Sequence, residues 1–170
     1  LIAVGEVTAL NVALSPPTQA GAARVTGIVY RFPEKTPLEG VTVKSTTGAE
    51  TVSGADGRFT LSTSAIQQVV TASMEGFTSV DRQVTPDSEG VTGVSAAYLT
   101  PLDPKVTMVT PEEGGIVSNQ AGTALIRVPA GAIDTPTEFR VTVLDTRNGR
   151  DSVLPAPLPE GFQPVSFVKL

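Results

Sequence analysis

The sequence predicts an all-β chain arranged as two consecutive antiparallel β-sandwiches, the second shorter than a full domain. Three observations carry this. Short stretches of alternating apolar and polar residues recur along most of the chain, separated by Gly, Pro, Asp and Asn at intervals of about 8–12 residues. No stretch carries an apolar stripe at helical spacing. Hydrophobic residues make up 40% of the 170 positions and charged residues 17%, with Val and Thr prominent throughout, a composition that suits a pleated, half-buried surface. A parallel sheet would need helical crossovers between its strands, so the strands are expected to pair antiparallel.

Taken in order, residues 4–14, "VGEVTALNVAL", read as a strand, and 15–22, "SPPTQAGA", read as a linker, because paired prolines cannot continue a ladder. Residues 1–22 are therefore expected to be a leading strand and Pro-rich linker that end a preceding domain. A first sandwich is expected over 23–103. Val25, Gly27 and Val29 share one face of "RVTGIVYR" by the period of two, and Val41 and Val43 share one face of "GVTVKS". "AETVS" and "RFTLS" flank Asp56-Gly57, a pair that tolerates positive φ at both central positions of a tight turn and so predicts a hairpin, with Phe59 and Leu61 on one face. "QVVTASM" and "FTSVDRQV" flank Glu75-Gly76, and "GVTGVSAAYLT" (90–100) closes the series.

The two prolines of "PLDPK" (101–105) mark the boundary, and 104–170 is expected to form a partial second sandwich. Its strands are "KVTMVT", "GGIVS", "ALIRVP" and "EFRVTVLD", the last with Phe139, Val141 and Val143 predicted on an apolar face opposite Arg140 and Thr142. "LPAPLPEG" (154–161) reads as a crossing before a final strand in "PVSFVKL". The chain begins at Leu1 and ends inside that strand, so it reads as a piece of a longer protein.

The absence of His, Cys and Trp excludes more function than any motif adds. Without His there is no neutral-pH imidazole base. Without His and Cys the usual zinc, copper, haem and iron–sulfur ligand sets cannot be assembled, and disulfides are impossible. The net charge of −5, with four Lys and eight Arg scattered singly, opposes nucleic-acid binding and docking on anionic lipid. No apolar run approaches the roughly 20 residues that span a bilayer, and "LIAVGEVTAL" lacks the basic leading region of a signal peptide.

The polar groups that invite a chemical reading each have a plainer one. Asp56, Asp81, Asp87 and Asp103 offer calcium oxygens, but no D-x-D-x-D spacing organises them, and turn chemistry explains them. Glu112-Glu113 resembles a glycosidase carboxylate pair, yet adjacent residues of extended chain point to opposite faces, and a solvated loop before Gly114 is the simpler reading. Ser53, Ser62 and Ser64 have no His to activate them, which leaves only a Ser–Lys dyad with Lys44. A Lys–Asn isopeptide bond would draw on Lys35, Lys44, Lys105 or Lys169 and on Asn11, Asn119 or Asn148, none in an evident motif. No catalytic, cofactor-binding or metal-binding residue is assigned, and no cofactor is expected.

Two resemblances add to this reading. "V-T-G-I-V" (Val25 to Val29), "P-L-E-G-V-T-V" (Pro37 to Val43) and "A-D-G-R-F-T-L" (Ala55 to Leu61) resemble the carboxypeptidase regulatory-like domain, a transthyretin-like (prealbumin-like) sandwich, over residues 23–100. The resemblance implies a non-catalytic accessory module, common in exported bacterial proteins. Residues 110–145 look like the start of the sandwich domain shared by ankyrins and netrin receptors, through Gly114-Gly115, "I-R-V-P-A-G-A-I" (Ile126 to Ile133) and "T-E-F-R-V-T" (Thr137 to Thr142). In that grammar Pro129 ends a strand, Gly131 permits a bend and Ile133 returns to the core. Some metazoan relatives of that domain self-cleave at a His-Phe-Ser site, which a chain without His cannot carry.

These features imply a structural or spacer module of a larger exported bacterial protein, of the shell-forming or toxin-delivery kind, secreted or at the cell surface. Its expected partners are other domains of the same polypeptide or assembly, reached by β-augmentation, with no nucleic acid and no membrane insertion. The alternative is an adhesin-like module that recognises protein or glycan through loops 31–39 or 146–161, which the shortage of aromatics disfavours.

Overall fold

A computed structural model describes residues 22–88, 90–144, 154 and 167–169, and among these the chain is all-β, with no helix. The leading strand read at 4–14 and the linker before Ala22 lie outside the described residues, as does most of loop 146–161. The strands are β1 (Ala22–Arg31), β2 (Thr36–Pro37), β3 (Thr42–Ser45), β4 (Glu50–Val52), β5 (Arg58–Ser64), β6 (Gln68–Ser73), β7 (Val80–Val84), β8 (Val91–Gly93), β9 (Ala97–Leu99), β10 (Thr107–Val109), β11 (Gly115–Ser118), β12 (Leu125–Val128), β13 (Thr137–Phe139), β14 (Thr142–Leu144) and β15 (Phe167–Lys169).

β1 organises a five-stranded sheet. It pairs antiparallel with β5 and β2, and with β8 and β9 in parallel, the exceptions to an otherwise antiparallel set of ladders. A second, four-stranded sheet has the order β4-β3-β6-β7. The period of two sends Val25 and Val29 of β1, Val41 and Val43 around β3, Phe59 and Leu61 of β5, Val70 and Ala72 of β6 and Leu99 of β9 into one shared core between the sheets. Each fully buried Val or Leu contributes about 1.5–3 kcal/mol. At Gly27 a Cβ would meet the Phe59 ring at 2.6 Å and Val94 Cγ2 at 2.8 Å, so the ring fills the space a side chain there would take.

The Asp56-Gly57 turn forms, but not as a hairpin. Its flanking strands, β4 and β5, belong to different sheets and do not pair. Only Gly57 takes positive φ (73°); Gly57 N–H donates to Gly54 C=O (2.8 Å) and Gly54 N–H to Arg58 C=O (2.9 Å). The chain turns at Asp56-Gly57, but without the two positive-φ positions of a tight hairpin turn, and the destination of the strand after it is set by core packing across the layers. Hairpins within this region lie at Glu75-Gly76, where β6 and β7 pair from Ala72↔Val80 outward and Gly76 has φ 79°, and at 46–49, where β3 and β4 pair from Lys44↔Glu50 and Gly48 has φ 91°.

A separate buried cluster joins Val109, Val117 and Val141, with Ile126, Val128, Ile133 and Phe139 packed against it. It lies among the two-stranded ladders β10-β13 and β11-β12, and β14 pairs with β15, so the strand read in "PVSFVKL" is present. β12 stops at Val128 before Pro129, and Gly131 (φ 76°) donates its N–H to Pro111 C=O at 2.7 Å. The predicted face of 139–143 needs correction. The stretch breaks at Arg140-Val141 between β13 and β14, which pair with different strands. Phe139 and Val141 pack into one cluster as expected, but beyond Val141 the faces exchange by one residue, with Thr142 and Leu144 buried and Val143 exposed.

The segment 101–105 bridges the two clusters. Pro101 forms an isolated bridge with Phe77, and Leu102 N–H donates to Gly76 C=O (2.8 Å). Asp103 N–H then donates to Thr142 Oγ1 (3.1 Å), while its carboxylate accepts from the backbone N–H of Lys105 (2.9 Å) and Gln120 (3.0 Å).

Candidate interaction surface

Several of the polar residues with a chemical reading hold the backbone, and the others are exposed or paired with one another. Ser53 is buried; its Oγ accepts from Val41 N–H (2.9 Å) and donates to Leu38 C=O (2.7 Å). Lys44 pairs instead with Glu50 at 3.1 Å on the exposed side of the β3-β4 ladder. Ser62 is exposed on β5, and Ser64 ends that strand with its carbonyl accepting from Gln68 Nε2 (2.8 Å). Asp56 Oδ1 accepts from Arg58 N–H (3.0 Å), and Asp81 Oδ1 accepts from Thr71 Oγ1 (2.7 Å). Asp87 N–H donates to Thr92 Oγ1 at 3.0 Å. The four aspartates are spread over separate turns and strands, and no group of three or more metal-ligating side chains occurs among the described residues.

Glu112 and Glu113 are exposed in the turn closed by the Thr110↔Gly114 bridge. Lys105 Nζ donates to Ser118 Oγ, adjacent to Asn119. The Asn119 amide is itself committed: Nδ2 donates to Thr123 Oγ1 (2.9 Å) and Oδ1 accepts from Ala124 N–H (3.0 Å). Lys35 sits in the 31–39 loop at φ 59°; Asn11 and Asn148 and the side chain of Lys169 lie outside the described residues.

A chain of hydroxyls ties the two sheets together at one end. Ala49 N–H donates to Ser45 Oγ (3.2 Å), Ser45 and Thr47 hydroxyls are 2.7 Å apart, those of Thr47 and Thr63 2.8 Å, and Thr63 Oγ1 donates to Gln68 Oε1 at 2.8 Å. Each hydroxyl has one proton, so the short contacts impose one direction: Ser45 to Thr47 to Thr63 to the Gln68 carbonyl. With Gln68 Nε2 donating to Ser64 C=O, the network is closed on itself.

The two sides of the first sandwich differ. On the β7/β9 side the sheets are laced together by Thr78 N–H to Thr100 C=O (2.8 Å), Thr100 N–H to Thr78 Oγ1 (3.0 Å) and Arg82 Nη2 to Ala96 C=O (3.3 Å). On the β4/β5 side, β5 pairs only with β1 among the described residues. The Val29 N–H to Gly57 C=O bond (2.9 Å) sets the phase of the β1-β5 ladder. By the alternation of an antiparallel pair, Thr60 and Ser62 then turn their N–H and C=O groups away from β1. The carbonyls of Arg58 and Ser64, on either side, are taken by Gly54 and Gln68. Between them is a short open edge without Pro or a charged side chain, the kind of edge that invites another strand.

The solvent face of the same sheet has its own character. A groove of about 410 Å³ runs over it, lined by Thr26, Ile28, Arg58, Thr60 and Gly93 among others. Two positions along β1 from Ile28 stands Tyr30, stacked on Tyr98 of β9 with ring centroids 5.2 Å apart and planes at 27°. These are the two tyrosines of the chain. The loop 31–39, a candidate binding loop in the sequence, is pinned down: Phe32 is buried with its N–H on Leu99 C=O (3.0 Å), Lys35 N–H donates to Arg31 C=O (2.8 Å), and β2 pairs with β1.

No protein-family model matches the chain, and no curated protein matches it. Among solved structures it is similar to chains of two interface mutants, one C-terminal and one N-terminal, of a type II Cohesin-X-Dockerin complex from Acetivibrio cellulolyticus. The identities are 15% and 16% and the TM-scores 0.40 and 0.41, over 48% of this chain. A 9R-lipoxygenase from Cyanothece PCC8801 is similar at 12% identity and TM-score 0.35, covering 61% of this chain and 20% of the enzyme. The chain spans 59% of the length of the two Acetivibrio chains. At these identities and TM-scores the likeness carries neither family nor function to this chain.

Proposed function

We propose that this chain is a non-catalytic structural module of a larger exported bacterial protein, secreted or at the cell surface, working through contacts with neighbouring domains. In this reading residues 23–103 are one sandwich of the carboxypeptidase regulatory-like type and 104–170 a partial second one, with the Asp103 hydrogen bonds fixing the joint. The observation that supports it most directly is the open β5 edge. Among the described residues the N–H and C=O groups of Thr60 and Ser62 have no strand partner, and they suit one added strand from a neighbouring segment, by β-augmentation. The residues with nucleophile or base chemistry serve the backbone: Ser53 ties the chain around Val41 and Lys44 pairs with Glu50.

The test is amide hydrogen exchange at Thr60 and Ser62, in this chain alone and within the longer polypeptide. Slow exchange gained only in the longer protein is the expected result. Fast exchange at both amides in both settings overturns the augmentation reading.

A further inference from the structure

The solvent face of the five-stranded sheet combines features that neither packing nor the edge contact uses. Alternation places Arg24, Thr26, Ile28 and Tyr30 of β1 on it, with Arg58, Thr60 and Ser62 of β5 and Tyr98 of β9 beside them in register. Arg24 and Arg58 are the only charged side chains that these strands place on this face, in a chain of net charge −5. Arg58 meets the carboxylate of Asp56 through Nε at 3.6 Å, and its side chain is 73% exposed. Tyr30 and Tyr98, both half-buried, stack on each other on this face, two positions along β1 from the groove-lining Ile28.

We propose that this face binds an extended polysaccharide bearing carboxylates, a uronic-acid chain. Sugar rings have flat C–H faces that pack on aromatic rings, which Tyr30 and Tyr98 offer. Their hydroxyls match Thr26 and Thr60, and their carboxylates match guanidinium groups, which bind carboxylate in a fork. Arg24 and Ile28, the residue opposite Arg58, are four positions apart on β1, about 13 Å along the strand. Two cations so separated suit a chain with repeated charges better than a single small anion. Nucleic acid is disfavoured, because two arginines in an acidic chain provide too few phosphate contacts. The surface is the face of the sheet and not its edge, so it stands or falls separately from the augmentation reading.

The test is a titration of the intact chain with oligogalacturonate, followed by amide chemical shifts, beside dextran as a neutral glycan and poly-glutamate as an acidic peptide. The expected result is saturable binding of oligogalacturonate, with shifts at Thr26, Ile28, Tyr30 and Thr60. Tyr98→Ala and Arg58→Gln should each weaken it about fivefold, and Tyr98→Phe should retain it. No binding, equal binding to dextran or poly-glutamate, or undiminished affinity in Tyr98→Ala overturns the proposal. Circular dichroism of each variant separates lost binding from lost fold.

Discussion

Replacing Ser53 by Ala tests whether this hydroxyl is a structural tie. Its Oγ sits between Val41 N–H (2.9 Å) and Leu38 C=O (2.7 Å), and the residue is 3% exposed. Alanine removes one oxygen and strands both partners. Val41 is fully buried, so its N–H bears the full desolvation cost of an unsatisfied donor, about 1–3 kcal/mol. Leu38 is only half-buried, so water recovers part of the cost at its carbonyl. The expected loss is therefore about 2–3 kcal/mol, which with a urea slope of about 1–3 kcal/mol/M lowers the unfolding midpoint by about 0.7–3 M. Far-UV circular dichroism against urea measures it, with Ser62→Ala on the exposed side of β5 as the control, expected within about 0.5 kcal/mol of the parent. A Ser53→Ala midpoint equal to that of the control refutes the reasoning.

Three further outcomes follow from the geometry. Gly114 and Gly122 have nearly the same φ, 66° and 67°, but a Cβ at Gly114 collides with Val128 C=O and stands 2.7 Å from Ala130 N, while Gly122 has nothing within 4 Å. Urea melts should show Gly122→Ala costing about 1 kcal/mol and Gly114→Ala clearly more, because only the second adds a clash to the backbone strain. Gln68→Ala removes the acceptor that ends the Ser45–Thr47–Thr63 chain, and should cost about 2–3 kcal/mol in the same melts; a loss below that of Ser62→Ala would show the network to be idle. Lys44→Gln should change stability by less than about 0.5 kcal/mol, with little dependence on salt, since both members of its pair with Glu50 are more than half exposed.

Val25, Val29, Val41, Val43, Phe59 and Leu61 were legible as core positions because the period of two needs only local sequence and the rule that apolar faces turn inward. The end of β12 at Pro129 and the return of Ile133 were legible for the same local reasons. Asp56-Gly57 was legible as a turn but not as a crossing, since a turn dictates reversal and not which sheet receives the next strand. The break at Arg140 was hidden, because a one-residue slip leaves no mark on an alternating stretch. The Tyr30–Tyr98 stack needs the parallel register of β1 with β9, which joins segments far apart in the chain.

By itself, then, the sequence determined that the chain is all-β, which side chains face inward in the strands of the larger core, and that imidazole and thiol chemistry are closed to it. Those properties are set residue by residue, through alternation, turn preferences and the side-chain inventory. Only the tertiary structure decided which strands pair, that β5 keeps an open edge among the described residues, that Ser53 and Gln68 close polar ties, and that two tyrosines and two arginines share one face. The reason is that register and sheet membership are settled when distant apolar faces bury one another, and strands of similar pattern offer several partners until that core forms.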